Sequence, residues 1–320
     1  MTISPYRLGA SLYMPAVRTD IIDVVLKNKI PGLSSLIICF EDALAEQDIA
    51  AGLSNLHTVL AVLRQHRHAN HSHANCEHNH ANRDHDRPLV FIRPRHQAMA
   101  RLLVDEFDLS TVNGFVLPKF TQATLDEWTD ILEPTQLLWM PTLETAEVFD
   151  ALAMRELVNV LDTHPCRSRM LAIRVGGNDL LNVLSLRRQR HKTLYDGPLG
   201  YVMKMLVSTF GSRQFALTAP VCELIERNDI LTEELKADIE HGFVGKTAIH
   251  PNQIDIINQA LAVEATEYED ALRIVNSGAA VFKHNGAMCE PATHTRWAEN
   301  ILTRAQYYGH QKRWLTSIPG

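Results

Sequence analysis

The sequence lacks the features that mark secreted and membrane-spanning proteins. Its five cysteines are scattered over 320 residues without a C-x-x-C pair, which indicates reduced thiols rather than a disulfide framework. No apolar run approaches the roughly 18 residues that a membrane-spanning helix requires. The first ten residues also lack the basic and then apolar layout of a secretory signal. We therefore expect a cytoplasmic protein that does not associate with a membrane.

A strong excess of charge of either sign is missing as well. Lysine and arginine number 31 against 37 aspartates and glutamates, and the net charge of -6 gives nucleic acid no electrostatic reason to bind. No G-x-G-x-x-G follows the first apolar run, which disfavours a dinucleotide-binding Rossmann fold. The composition is otherwise that of a globular protein, with 46% hydrophobic residues and a chain long enough to bury a large core.

Short apolar, β-branched runs alternate with helical patterns, which predicts parallel strands joined by helical crossovers. The predicted strands are residues 8–14, 35–40, 89–92, 114–117, 137–140, 170–175, 214–217 and 244–249. Eight such units over about 260 residues are typical of a (β/α)8 TIM barrel. A doubly wound open sheet has the same periodicity and is the alternative.

Capping residues predict where several helices begin. We expect helices at residues 21–29, 125–132, 146–161, 233–241 and 253–261, with Thr145 and Thr232 opening the third and fourth. The last stretch adds helical segments and a loop around residues 283–291. We divide the chain into a barrel, residues 1–275, and a C-terminal helical extension, residues 276–320, that we interpret as a lid.

Residues 66–87 depart from this regularity, because they contain seven histidines, one cysteine and almost nothing apolar. Their composition predicts an inserted surface loop or a disordered hairpin. Imidazole suits Zn²⁺, Ni²⁺ and Cu²⁺, so one hypothesis is a non-catalytic metal-binding, metal-sensing or scaffold protein. The spacing matches no fixed tetrahedral site, and a solvated polar loop is the simpler interpretation.

Candidate site residues, nearly all of them polar, lie at the C-terminal ends of the predicted strands, where barrel enzymes place their active sites. They are Tyr13, Pro15, Glu41, Asp42, Arg93, Arg95, Lys119, Glu144, Asp179 and His250. Glu144 and Asp179 follow neighbouring strands, and two such carboxylates together with waters suit Mg²⁺. Taken singly, each of the two is also explained by a position at a helix N-terminus.

The remaining polar candidates each have two interpretations. Arg93 suits the carboxylate of an oxo acid, or else forms an ion pair with Glu41 or Asp42. Gly176 and Gly177 give backbone freedom beside a metal, or only a tight turn. Lys119 and Lys246 bind a cofactor phosphate, or else pair with Glu41 and Glu144. We interpret His250 as structural, since it precedes a helix start.

Several of these segments, in this order, resemble the citrate lyase beta subunit family and its malyl-CoA lyase relatives. The segments that carry the resemblance are residues 12–15 (LYMP), 38–43 (ICFEDA), 92–93 (IR), 116–119 (VLPK), 141–146 (PTLETA) and 242–254 (GFVGKTAIHPNQI). The last string is the most specific. The resemblance extends from about residue 8 to about residue 305, with the histidine-rich segment as an insertion.

The resemblance implies a Mg²⁺-dependent carbon–carbon bond lyase of the retro-Claisen or aldol type, in which the metal stabilises an enolate. It implies an oxo-acid or acyl-thioester substrate, possible use of coenzyme A or an acyl carrier, and a homo-oligomer, either a trimer or a hexamer. Glu290 stands where the malyl-CoA lyase branch has a lid aspartate that completes a neighbouring site. We assign metal binding to Glu144 and Asp179, catalysis to Arg93, Glu41, Asp42 and Glu290, and substrate binding to Arg93, Gly176, Gly177 and Lys119.

The chain departs from the family pattern at three places. Cys39 replaces an aspartate of the second strand, Arg95 replaces an asparagine, and residues 218–220 (TAP) replace an Asp-Gly pair. These differences indicate a divergent subgroup whose substrate the resemblance does not fix. An enzyme of the same chemistry that ends in hydrolysis, such as a synthase or a thioesterase, is the second enzymatic hypothesis.

Overall fold

The computed structural model describes residues 3–72 and 87–311. Residues 73–86, which hold most of the histidine-rich segment, lie outside the described residues, so the loop predicted there stays a prediction. Residues 66–72 are helical, and for them the predicted loop is wrong. They continue a helix that is held from Leu56 to Leu63 by buried side chains, and extending a formed helix costs little per residue.

The described residues form parallel strands, namely β1 Gly9–Pro15, β2 Ser35–Cys39, β3 Leu89–Arg93, β4 Gly114–Leu117, β5 Leu138–Leu143, β6 Ile173–Val175, β7 Leu217–Thr218 and β8 Gly245–Ala248. They pair in the order β7-β6-β5-β4-β3-β2-β1-β8. Ala219, directly after β7, bridges to Lys246 of β8 and donates its backbone N–H to Gly245 O at 2.8 Å, which closes the ring. The predicted (β/α)8 barrel is confirmed, and the open sheet is excluded.

Helices follow the strands and cover the outside of the barrel. They are α1 Ile21–Leu26, α2 Ile49–Ser72, α3 Gln97–Glu106, α4 Leu125–Leu132, α5 Ala151–Thr163, α6 Gly177–Val183, α7 Leu199–Gly211, α8 Asn228–Glu240 and α9 Asn252–Leu261, and beyond the barrel α10 Ala265–Asn276 and α11 Pro291–Tyr308. Within residues 3–72 and 87–311, no helix has both the length and the apolar character needed to cross a membrane.

Two predicted helix starts are wrong, for local reasons. Thr232 lies inside α8, where its hydroxyl donates back to Asn228 O at 2.7 Å instead of capping a helix. Thr145 precedes only a single turn of 3-10 helix. Asp150 is the N-cap of α5, because its Oδ1 accepts the backbone N–H of Leu152 at 2.8 Å.

The interior of the barrel changes from apolar to polar along the strands. Near the N-terminal ends it is filled by buried apolar side chains, among them Ile37, Phe91, Val116 and Met140. Each strand alternates its side chains between the interior and the helices, so the positions two residues further on also face inward. Those positions are Cys39, Arg93, Pro118 and Thr142, so polar side chains, those of Arg93 and Thr142, enter the interior near the C-terminal ends.

The C-terminal extension has a small core of its own. Val263, Ala271 and Ile274 pack with Cys289 and Ile301, so that α10, α11 and the hairpin of β9 (Phe282–His284) and β10 (Ala287–Cys289) form one unit. The predicted division at residue 276 falls at the end of α10, and the lid role stays a prediction. Tyr308 donates to Tyr6 O at 2.5 Å, which fixes the end of α11 near the N-terminal end of β1.

Lys246 belongs to the segment 242–254, yet it does not face the barrel interior. It is 1% exposed and donates to Glu234 Oε1 at 2.9 Å and to Asp238 Oδ2 at 2.8 Å, both on α8. Arg188 pairs with the same Glu234. Of the two interpretations of Lys246, pairing is correct, although with these acids rather than with Glu144. The lysine fixes α8 against β8.

Replacing Lys246 by methionine should therefore destabilise the protein strongly. The substitution leaves the buried Asp238 carboxylate without a cationic partner, which costs about 3 to 5 kcal/mol of unfolding free energy. Denaturant titration measures this loss. The matched control is Lys236→Met on the same helix, where an exposed lysine pairs with Glu233 and the change should stay within about 0.5 kcal/mol. Equal effects of the two substitutions would contradict this role of Lys246.

Candidate active site

Most of the predicted site residues meet in a recess at the C-terminal ends of the strands. The recess encloses a cavity of about 200 Å³. Among the residues that line it are Glu41, Asp42, Arg93, Glu144, Gly176, Gly177 and Asp179. The whole lining comes from seven of the eight strands and the loops that follow them, so residues far apart in sequence form one pocket in the place where barrel enzymes carry out their chemistry.

A second, larger cavity of about 640 Å³ lies at the opposite end of the barrel. It is lined by the start of β3 and by three arginines, Arg7, Arg67 and Arg87. The N-terminal end of a TIM barrel serves stability rather than catalysis in characterised enzymes. The smaller recess is therefore the candidate active site.

Arg93 extends from the end of β3 between two glutamates. Its Nη2 donates to the two carboxylate oxygens of Glu144 at 3.0 and 3.2 Å and forms an ion pair with Glu41. Arg93 is nearly fully buried, and its guanidinium carbon lies 5.8 Å from the centroid of the Tyr13 ring. The ion pair with Glu41 that the sequence allowed is therefore present, and two carboxylates surround the guanidinium.

Glu144 is held in place by the backbone on both sides. The backbone N–H of Lys119 donates to Glu144 Oε1 at 2.7 Å, and Lys119 adopts the left-handed conformation, with φ of 47°, that few non-glycine residues take. On the other side lies Gly176, where an added Cβ would stand 2.4 Å from Glu144 Oε2. The side chain of Lys119 reaches towards Glu41, with 3.5 Å between Nζ and Oε1.

The surroundings of the recess disfavour the ionised form of its carboxyl groups. Burial raises the pKa of Glu144 to about 7, and the charges of Asp179 and Glu41 add to this while Arg93 opposes it. Burial and the neighbouring Asp42 raise the pKa of Asp179, and burial raises that of Glu41. Four carboxylates thus converge where three cationic side chains, those of Arg93, Lys119 and Arg174, offset only part of their charge.

This arrangement fits a hard divalent cation. In the chain as described, no group of three or more histidine, cysteine, aspartate or glutamate side chains is arranged to hold a metal ion. Mg²⁺ needs no such cage, since it keeps several waters and is commonly bound by one or two carboxylates together with its substrate. Glu144 after β5 and Asp179 in the first turn of α6 line the same cavity and supply such a pair.

Three other candidate residues make hydrogen bonds that hold local structure. Arg95 donates to Phe40 O and Leu44 O at 3.2 and 3.1 Å, so it braces the loop after β2. His250 accepts the backbone N–H of Asn252 at 3.2 Å, as expected for a residue that opens a helix. Glu290 precedes α11 and accepts from the Thr293 hydroxyl at 3.2 Å, away from the residues that line the recess. Its assignment to a neighbouring subunit's site stays a prediction.

Arg174 is the charged residue of the recess that was not predicted from the sequence. It faces the interior from the middle of β6, is 2% exposed, and donates to the Thr247 hydroxyl at 2.6 Å. The sequence pattern indicates its position, because Arg174 alternates with Ala172 and Gly176 in an otherwise apolar strand. A charged residue at an inward-facing position of such a strand needs a reason to be there.

Comparison with known proteins identifies the family of this chain. A family model described as a C–C bond lyase of the TIM-barrel fold matches residues 2–310. The chain belongs to this family. The resemblance to carbon–carbon bond lyases of this fold is thereby confirmed. None of the curated protein sequences matches the chain.

Solved structures with the same fold include citrate lyases from two bacteria. The CitE protein of Mycobacterium tuberculosis, in complex with magnesium, acetoacetate and coenzyme A, has a TM-score of 0.63 at 19% identity, covering 94% of this chain and 99% of its own. A citrate lyase from Burkholderia xenovorans LB400 has a TM-score of 0.69 at 14% identity, covering 97% and 96%. A citrate lyase beta subunit of M. tuberculosis, complexed with oxaloacetate and magnesium, has a TM-score of 0.55 at 18% identity, covering 80% and 98%.

The contact between Gly176 and Glu144 can be tested by adding a single methyl group. Gly176→Ala should displace Glu144 and lower the unfolding free energy by about 1 to 3 kcal/mol, because the added Cβ overlaps a buried side chain. Gly211→Ala is the control, since nothing lies within 4 Å of a Cβ at that helix position and the change should be neutral or slightly stabilising. Denaturant titration measures the unfolding free energy of both variants. A fully stable Gly176→Ala would show that Glu144 is not confined as described.

Proposed function

We propose that the protein is a Mg²⁺-dependent carbon–carbon bond lyase that acts on a small oxo acid or acyl thioester. One observation carries this proposal: Glu41, Asp42, Glu144 and Asp179 converge on a single recess at the catalytic end of a barrel. Their negative charge exceeds the positive charge of the adjacent Arg93, Lys119 and Arg174. A divalent cation between Glu144 and Asp179 would offset the excess.

Membership of the C–C bond lyase family supports the type of reaction. Proteins of the same fold have been captured with magnesium together with oxaloacetate, or with acetoacetate and coenzyme A. The cavity of about 200 Å³ suits a small acid, since drug-sized ligands occupy pockets of about 300 to 1,000 Å³. If coenzyme A or an acyl carrier takes part, its bulk lies outside the recess.

Each group of residues in the recess has its own role in the proposed reaction. Glu144 and Asp179 would hold the metal, and the backbone of Lys119 keeps Glu144 oriented. When bound, Mg²⁺ supplies a Lewis acid for the negative charge that develops on a carbonyl oxygen as the carbon–carbon bond breaks. Arg93 presents a guanidinium to the substrate carboxylate, Gly176 and Gly177 leave room for it, and Glu41 or Asp42 moves the proton. A cytoplasmic homo-oligomer, a trimer or a hexamer in which Glu290 completes a neighbouring site, belongs to the same proposal.

The metal site is tested by removing one carboxylate charge at a time. Glu144→Gln and Asp179→Asn should each weaken Mg²⁺ binding at least about tenfold in isothermal titration calorimetry, because each removes an anionic ligand. Glu147→Gln is the matched control, an exposed glutamate three residues after Glu144 that should bind Mg²⁺ like the wild type. Wild-type Mg²⁺ affinity in both site variants would refute the proposal.

Product analysis then separates the two enzymatic hypotheses. A lyase releases two carbon fragments, one of them an oxo acid, whereas a hydrolytic enzyme releases an acid and the free thiol from an acyl thioester. Chromatography of reactions with candidate thioesters and with free hydroxy acids distinguishes the two. In either case Glu144→Gln should lose the activity while Glu147→Gln keeps it.

A further inference from the structure

The two inward-facing arginines of the recess differ in how their charge is balanced. Arg93 lies between Glu41 and Glu144. Arg174 is equally buried, yet in residues 3–72 and 87–311 no carboxylate lies within ion-pair distance of it. Its visible partners are neutral: the Thr247 hydroxyl at 2.6 Å and the Tyr13 ring, whose centroid lies 5.4 Å from the guanidinium carbon.

A buried, unpaired guanidinium is expensive, because removal from water is offset only by an anion or by a full set of hydrogen bonds. Arg174 has neither. Its Nη1 is buried and makes no hydrogen bond within the described part of the protein. Arg174 lines the same cavity as the proposed metal carboxylates, so a ligand in that cavity can reach it.

The neighbouring strands add two more unused polar atoms at the same level. Thr142 of β5 pairs in register with Arg174 of β6, and Arg174 pairs in register with Thr218 of β7. Residues in register on adjacent strands point to the same face of a sheet, about 4.8 Å apart. Both hydroxyls, Thr142 Oγ1 and Thr218 Oγ1, are buried and without a hydrogen-bond partner in the described chain.

Three adjacent strands therefore present one guanidinium and two hydroxyl groups side by side, all with free hydrogen-bonding capacity in the described residues, and Arg174 and Thr142 line the recess. Hydroxyl groups and a guanidinium can all donate to the same oxyanion. A purely structural core would fill these positions with apolar side chains, as the barrel does one layer below with Met140 and Ala172. The arrangement is that of an anion-binding site.

We propose that Arg174, Thr142 and Thr218 form a carboxylate-binding subsite that selects substrates with a second acidic group. This rests on the proposed function for the nature of the reaction and adds the class of substrate, a dicarboxylic acid rather than a monocarboxylic one. Arg93 and the metal-binding carboxylates act at the mouth of the recess, and the subsite holds the far end of the acid.

The test uses simple acids and no metal, so that it is independent of the lyase chemistry. Binding of succinate and of butyrate to the full-length protein is measured by isothermal titration calorimetry in the presence of EDTA. The two acids share a four-carbon chain and differ in the second carboxylate. Succinate should bind at least tenfold more tightly than butyrate, and Arg174→Gln should remove this preference. Arg64→Gln, which alters an exposed arginine paired with Asp108, should leave it unchanged.

Two further substitutions keep the proposal testable if Arg174→Gln fails to fold. Thr142→Val removes a hydroxyl that has no partner in the free protein, so the melting temperature should stay the same or rise while succinate binding weakens several-fold. Thr218→Asp places a fixed carboxylate beside Arg174 and should abolish succinate binding in a folded protein. A structural role for these groups predicts that succinate binding does not respond to either substitution.

The outcomes distinguish failure of the carboxylate-binding subsite from failure of the lyase proposal. Arg174-dependent succinate binding without any Mg²⁺ binding retains the subsite and removes the lyase proposal. Mg²⁺ binding that needs Glu144, together with equal affinity for succinate and butyrate, overturns the subsite alone. Succinate binding that persists in Arg174→Gln and Thr218→Asp also overturns it, because another cation must then hold the second carboxylate.

Discussion

The ion triad of Arg93, Glu41 and Glu144 is the constraint on which the candidate site depends. The buried guanidinium of Arg93 is balanced by the two carboxylates, and its positive charge in turn lowers the cost of burying them. The consequences extend to the backbone. Lys119 takes a left-handed conformation from which its N–H reaches Glu144, and residue 176 has no room for a side chain. The mouth of the barrel is thus arranged around the orientation of Glu144.

The segment most specific to the family resemblance serves packing more than chemistry. Within residues 242–254, Lys246 joins β8 to α8, and His250 opens α9. The buried Gln253 accepts the backbone N–H of Ile249 at 3.0 Å and donates to Cys222 O at 2.8 Å. These residues fix the last strand and its neighbours, so they hold the closure of the barrel. A sequence motif can therefore identify a fold reliably while contributing few groups to the active site.

The barrel could be predicted from the sequence because strand burial leaves a strong local pattern. Each of the eight predicted strands overlaps an observed one, and residues 114–117 agree fully. The site residues at the strand ends could be found for the same reason, since Glu41, Arg93 and Glu144 follow apolar runs. What could not be predicted depends on contacts between distant residues. The partners of Arg93 lie 52 positions before it and 51 positions after it, and the partners of Lys246 lie on a helix whose start was misjudged at Thr232.

The central claim is that Glu144 and Asp179 form a divalent cation site at the mouth of the barrel. A crystal structure of the full-length protein grown with Mn²⁺ and oxalate tests it most directly, because Mn²⁺ substitutes for Mg²⁺ at oxygen sites and its anomalous scattering identifies its position. The account predicts one anomalous peak coordinated by the carboxylates of Glu144 and Asp179, with oxalate bound to the metal. A recess without an anomalous peak, or Mn²⁺ bound only at residues 66–87, would contradict it.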